Sequence, residues 1–272
     1  MSRMSRDVPT LLFVPDKQIV YISIVADNVP EVVDSVFELI DNFGIDISEA
    51  TITTDFKAGE KRISFFADLS QATVDLGDLR HLLERTRGVR GVRISDPLMT
   101  GVAVADIEFP VTTFGGMYRA VIIPGPWLRG LLENVVRKFG ATGLYFLYES
   151  GRGIGLREGP KISNFAPNLA KLVEGLLKML KSTGFLNPTG YEVSEGRVAV
   201  RFKSCIECEV AAPLVGGNPS CNLVRGLMEG VLETYTGRRC ESKEVRCEYK
   251  GDEECEVVFS LKESLAEEKG HQ

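Results

Sequence analysis

The sequence predicts an α+β protein of two domains, and three observations lead there. Residues 18–97 alternate strand and helix patterns in the order βαββαβ. Residues 118–262 carry helical patterns and strand patterns that close in a hairpin bearing Cys247 and Cys255. The chain has 272 residues, a size at which one hydrophobic core stops growing, about 250–300 residues.

Residues 1–17 read as a polar tail with a short edge strand over 9–14. Next, 18–27 (QIVYISIVAD) is apolar on both faces, as a central strand is. Pro30 suits the first turn of a helix running to about Phe43, with Val33, Val36, Phe37, Ile40 and Phe43 as its buried stripe and Gly44 as its stop. Strands over 45–54 and 61–69 follow, joined through Lys57, Ala58, Gly59 and Glu60. A second helix, 76–86, is expected to bury Leu79, Leu82 and Leu83 before the strand GVRISD. That order gives a ferredoxin-like layer of helices on an antiparallel sheet.

Residues 98–117 read as a linker containing a strand over 102–109. The second domain, 118–262, opens with the strand YRAVIIP and a helix from Pro126 that closes before Gly140. TGLYFLYES (142–150) reads as a strand and GRGIGLREG (151–159) as a loop. That loop lacks the Lys-Ser/Thr ending of a P-loop and the dinucleotide-binding glycine spacing, so a lid over a ligand cavity is the preferred reading over a phosphate cradle. A long amphipathic helix over 164–182, a hairpin over 190–203, a loop over 211–219 and a helix capped by Ser220 complete the domain. A charged tail, 263–272, ends the chain.

Hydrophobic residues make up 44% and charged residues 26% of the chain, ordinary globular proportions that argue against long disorder. The net charge of −6 speaks against a nucleic-acid surface, which leans on excess Lys and Arg. No helix-turn-helix can be placed. No apolar run of about 18 residues and no N-terminal apolar leader is evident, so a cytoplasmic protein without a membrane span is expected. The six cysteines then point to metal ligands or free thiols more than to a disulfide framework. His81 lies in a helical pattern and His271 in the tail, and neither is placed for catalysis. Arg80, Arg85, Arg87, Arg90 and Arg93 form a basic cluster, read as a solvated helix end in preference to an anion site.

Cys221, Glu244, Cys247 and Cys255 suggest a metal. Cys247 and Cys255 flank the turn at Gly251, so they face each other with Cβ atoms ~4.5–5.5 Å apart, close enough to share a tetrahedral ion with bonds of ~2.3 Å. Cys221 stands at a helix N-terminus, which lowers a thiol's pKa. Glu244 and Cys247 are three apart and converge only if the strand bulges or ends between them. Three other readings stay open: a disulfide between two of these cysteines, a site using the C-x2-C pair Cys205 and Cys208 in place of Glu244 or Cys221, and plain buried thiols. Cys240 has no assigned role.

On the motif C-x22-E-x2-C-x7-C at those four positions, residues 118–262 resemble the 4-vinyl-reductase-type domain. This ligand-sensing fold also occurs in the effector domains of phenol-responsive activators and, more distantly, in TRAPP transport-particle subunits. The resemblance implies a structural zinc on Cys221, Glu244, Cys247 and Cys255, and a small hydrophobic or aromatic ligand in a neighbouring cavity. Trp127, Phe139, Tyr145, Phe146, Tyr148, Phe165 and Met179 are the expected lining, with core packing as the competing role of each. Residues 18–97 resemble an ACT domain through their element order and Asp27-Asn28-Val29-Pro30, which implies an effector site at Asp27, Asn28 and Pro30. Glu31 stands where many amino-acid-binding members have glycine, so an assembly role is weighed equally.

No nucleophile-base pair, catalytic metal set or cofactor fingerprint is present, so a non-enzymatic function is expected. The expected function is a regulatory sensor that works as a homodimer, with a protein partner also possible. The alternatives are a lipid-holding adaptor and an enzyme accessory in tetrapyrrole or aromatic metabolism.

Overall fold

The computed structural model describes residues 8–95, 97–113, 115–216 and 218–264. They divide into two units, Met1–Val121 and Ile122–Gln272. The polar start and most of the charged tail, His271 included, lie outside the described residues.

The first unit runs β1 (Leu11–Phe13), β2 (Ile19–Asp27), α1 (Pro30–Asn42), β3 (Asp46–Asp55), β4 (Glu60–Asp68), α2 (Leu76–Arg85) and β5 (Val89–Ile94). Its sheet has the order β3-β4-β2-β5, and each neighbouring pair is antiparallel. The double-sided apolar pattern of β2 has a direct cause. Val20, Ile22, Ile24 and Ala26 pack under both helices, while Ile19 and Tyr21 point to the other face and pack with Phe66 and Ala103.

The segment expected as a linker covers that other face. Within it β6 (Val102–Val104) pairs with β1, and short β7 (Thr112–Thr113) pairs with β8 (Tyr118–Arg119). Glu108 fastens the segment by accepting hydrogen bonds from Tyr21 Oη at 3.0 Å and Ser64 Oγ at 2.7 Å. Burial there pushes the Tyr21 phenol up to about 12. The first unit therefore extends to Val121, taking in the expected linker and the first residues of the second domain expected from 118.

Smaller differences also have local reasons. The buried stripe of α1 is Val32, Val36 and Ile40, with Val33, Phe37 and Phe43 flanking it. In α2, capped by the Asp75 side chain, Leu79 and Leu83 are buried but Leu82 is 36% exposed, because it sits off the face set by their i, i+4 spacing.

The second unit runs α3 (Gly125–Ser163), α4 (Leu169–Ser182), β9 (Asn187–Ser194), β10 (Arg197–Lys203), α5 (Ile206–Val215), α6 (Asn222–Thr236), β11 (Arg238–Arg246), a 3-10 turn at Glu248–Lys250 and β12 (Cys255–Ser264). The sheet order is β11-β12-β10-β9, with antiparallel neighbours. Leucines and valines of α4 and α6 fill its core against Val198, Val200, Phe202, Val257 and Phe259.

Here the structure departs most from the sequence reading. The strand expected at 118–124 is confined to Tyr118–Arg119. The strand expected at 142–150 and the loop expected at 151–159 are both helix, continuous with α3 after a break at Gly140, where φ is 52° and ψ −128°. Gly151, Gly155 and Gly159 recur every four residues and so form one stripe. Gly151 lies against the Leu223 backbone, Gly155 against Gly230 and Gly159 against Thr234 of α6, and Gly226 in turn meets the backbone of Tyr148 and Arg152. A Cβ on Gly155 would fall 2.2 Å from the Leu227 carbonyl oxygen, and one on Gly226 would fall 2.1 Å from that of Tyr148. These glycines serve close backbone approach between helices, and the expected lid is part of a packed helix. Likewise, the loop expected over 211–219 is helical up to Val215 in α5.

Candidate metal centre

The hairpin positions its two cysteines at the two ends of the connection between β11 and β12. β11 ends at Arg246, its register with β12 shifting between Glu244 and Arg246. Cys247 then leads into the 3-10 turn, its N–H donating to Asp252 Oδ2 at 2.7 Å, and Gly251 reverses the chain with φ 104°. Cys255 opens β12, and its Sγ lies 3.9 Å from Cys247 Sγ. A tetrahedral ion with metal–sulfur bonds of ~2.3 Å holds its sulfurs about 3.8 Å apart. The irregularity between Glu244 and Arg246 also turns Glu244 toward Cys221, whose Sγ lies 3.0 Å from Glu244 Oε2.

Cys208 joins these two pairs. The metal-binding atoms of Cys208, Cys247 and Cys255 lie within 4.8 Å of one another, and so do those of Cys208, Cys221 and Glu244. Cys208 occupies the first turn of α5, directly after Glu207, and Cys205 precedes that helix. The sequence presents Cys205 and Cys208 only as a rival pair. Their C-x2-C spacing is the visible signal, but spacing alone does not show that α5 packs beside the hairpin.

Glu207 also takes the capping role expected of Ser220. Its Oε1 accepts from Leu223 N at 2.7 Å and its Oε2 from Val224 N at 3.1 Å, at the N-terminus of α6. Burial pushes the Glu207 carboxyl up to about 7, and these backbone donors pull against that rise. Ser220 instead donates to Glu244 Oε2 from its N at 2.8 Å and its Oγ at 3.0 Å, and its Oγ lies 3.1 Å from Cys247 Sγ.

All six cysteines are free and buried. Hydrogen bonds with Cys208 and Cys255 draw the Cys247 thiol down, against the rise that burial causes. At Cys221 the hydrogen bond with Cys208 pulls down, but burial and the Glu244 charge push the thiol up to about 12. Burial opposes ionisation of Glu244 too, yet hydrogen bonds from Cys221, Lys250 and Ser220 hold it below the usual range. The donor set is sulfur-rich and largely buried, and the Cys247–Cys255 separation matches a tetrahedral ion, which fits a thiophilic ion such as zinc.

The other expected site residues fall in separate surroundings. Trp127, Phe139, Tyr145, Phe146 and Phe165 are 61–77% exposed. Tyr148 donates its hydroxyl to Glu229 and lies under the Arg225 guanidinium, 4.8 Å from its ring centre. Met179 packs against the sheet core. Around Tyr148, Ser242 Oγ donates to Glu229 Oε2 at 2.5 Å and Arg152 Nη2 to Glu233 Oε2 at 2.5 Å, a half-buried polar network that the sequence does not reveal. In the first unit, Asp27 Oδ1 accepts from Arg90 Nε and Nη2, both at 2.6 Å, and Asn28 N donates to Gly59 O at 3.3 Å. Pro30 opens α1. The Arg90 contact assigns one member of the basic cluster to an ion pair beside the expected effector site.

No described helix is long and apolar enough to cross a membrane. Residues 198–261 match the family model of the 4-vinyl-reductase domain. An uncharacterized protein of Methanocaldococcus jannaschii, MJ0150, is 31% identical over 104 residues, which cover 38% of this chain and 53% of that protein. The matched stretch thus spans about half the length of that curated relative. Among solved structures, the phenol-responsive sensory domain of the transcription activator PoxR, with phenol, is similar at 16% identity and TM-score 0.47, covering 54% of this chain and 78% of that chain. A vinyl-4-reductase family protein from Methanocaldococcus jannaschii is similar at 18% identity and TM-score 0.34, covering 53% and 85%. The chain is therefore similar to 4-vinyl-reductase-domain proteins over residues 198–261, the span that holds all six of its cysteines and Glu244.

Proposed function

We propose that this protein is a regulatory sensor whose second unit binds a small hydrophobic or aromatic molecule and whose cysteine cluster holds zinc as a structural staple. The observation that carries the reading is the coincidence of the 4-vinyl-reductase domain match with the cluster, both within residues 198–261. A zinc whose positions are all filled by protein has none left for water, so the metal fixes the fold and the ligand acts beside it. The first unit, read as a ferredoxin-like ACT domain, supplies assembly or a second effector site in a cytoplasmic homodimer. Regulation then requires that the ligand bind one state of the protein more tightly than another.

Trp127 is the single tryptophan of the chain, exposed on α3, and it offers a built-in probe. Titration of the full chain with phenol, followed by tryptophan fluorescence and by native mass spectrometry, is expected to show saturable binding. Absence of a response to phenol and to a panel of larger aromatics, with no exchangeable small molecule in the purified protein, would overturn the sensor reading. A persistent co-purifying lipid favours the adaptor reading, which the exposed Ile122, Ile123, Trp127 and Phe165 support.

A further inference from the structure

We propose that Cys208 is the fourth metal ligand, completing an all-thiolate site with Cys221, Cys247 and Cys255, and that Glu244 positions this site from outside the coordination sphere. This rests on the metal reading above and revises its ligand set.

Cys208 belongs to both groups of converging donors. An ion seated among Cys208, Cys247 and Cys255 has one tetrahedral position left; Cys221, whose Sγ lies within 4.8 Å of that of Cys208 but outside the group formed with Cys247 and Cys255, is the thiol that closes onto it. Glu244 already has other work for both oxygens. Its Oε2 accepts from Ser220 N, Ser220 Oγ and Cys221 N at 2.8, 3.0 and 3.1 Å. Its Oε1 accepts from Lys250 Nζ at 2.9 Å, and that ammonium is itself anchored on Asn218 O at 2.5 Å. Ligation by Glu244 would strip backbone donors at a helix N-terminus and part a half-buried ion pair. Ligation by Cys208 leaves these donors and the ion pair in place, and of the Glu244 contacts only the one from Cys221 Sγ, at 3.0 Å, gives up its proton when Cys221 ligates. The neighbouring Glu207, clamped on Leu223 N and Val224 N, fixes the first turn of α5 where Cys208 sits.

The change of ligand has a mechanical consequence. With Glu244 as fourth ligand, the ion joins α6 to the β11–β12 hairpin. With Cys208 it also holds α5, whose Val210, Ala211 and Val215 pack on Leu132, Val136, Leu144 and Leu147 of α3. Metal occupancy is thereby coupled to the helix that carries the exposed aromatic residues.

Zinc-edge X-ray absorption of the full chain, purified or reconstituted with zinc under reducing anaerobic conditions, counts the sulfur neighbours without any variant. Four sulfurs at ~2.3 Å are expected; three sulfurs and one oxygen overturn the inference while leaving the metal reading intact. Failure to bind zinc at all overturns both. In parallel, Glu244→Gln should retain four sulfurs while weakening zinc by about 10–100-fold, the usual effect of an outer-sphere partner. Cys208→Ser should lose a sulfur and lose more affinity than that. Hydrogen exchange supplies the mechanical test: chelation should deprotect residues 206–215 together with 238–255, and unchanged exchange over 206–215 would contradict the role given to α5.

Discussion

Gly155 of α3 lies against Leu227 of α6 so closely that a Cβ would sit 2.2 Å from the Leu227 carbonyl oxygen. Gly155→Ala should therefore destabilise the chain by about 1–3 kcal/mol in a urea titration, as overpacking does, despite alanine's better helix propensity. Gly153, where an added methyl would meet nothing within 4 Å, provides the contrast: Gly153→Ala should stabilise by up to about 1 kcal/mol. Equal effects at both positions would contradict the packed stripe.

Glu207 provides acceptors for two N–H groups at the start of α6. Glu207→Ala leaves Leu223 N and Val224 N without them, and a loss of about 2–3 kcal/mol is expected from chemical denaturation. Ser220→Ala, whose hydroxyl caps nothing in α6, should cost less. A larger loss at Ser220 than at Glu207 would contradict the assignment of the α6 N-terminus to Glu207.

Tyr21 and Glu108 join the covering segment to the sheet of the first unit. A double-mutant cycle with Tyr21→Phe and Glu108→Gln should give a coupling energy of about 0.5–1.5 kcal/mol, the net worth of a side-chain hydrogen bond. Zero coupling would contradict the fastening role given to this hydrogen bond.

Much of the first unit is legible in the sequence because its signals are local. Pro30 and Gly44 bracket α1, and β2 is apolar on both faces because both are covered. The middle of α3 is not legible, for a physical reason. Leu144 to Tyr148 is rich in aromatics that favour strands, and the following glycines favour turns. What makes the stretch helical is α6, whose matching glycines lie about 75 positions further along the chain. Cys208 is hidden in the same way. The spacing of Cys221, Glu244, Cys247 and Cys255 marks the centre, but only the packing of α5 beside the hairpin brings Cys208 to both pairs.

Removal of a structural zinc removes folding free energy with it. Thermal unfolding with and without a strong chelator, in reductant, should therefore show a lower midpoint for the stripped protein, recovered on adding zinc. An unchanged midpoint in a demonstrably metal-free sample would assign the cluster to plain buried thiols.

The most direct measurement is the zinc content of the purified chain and of its Cys247→Ser and Cys255→Ser variants. About one zinc per chain in the parent, with a sharp fall in both variants, is the expected result. Full metal retention in both variants, or a parent that neither carries nor takes up zinc, would contradict the assignment of Cys247 and Cys255 as ligands.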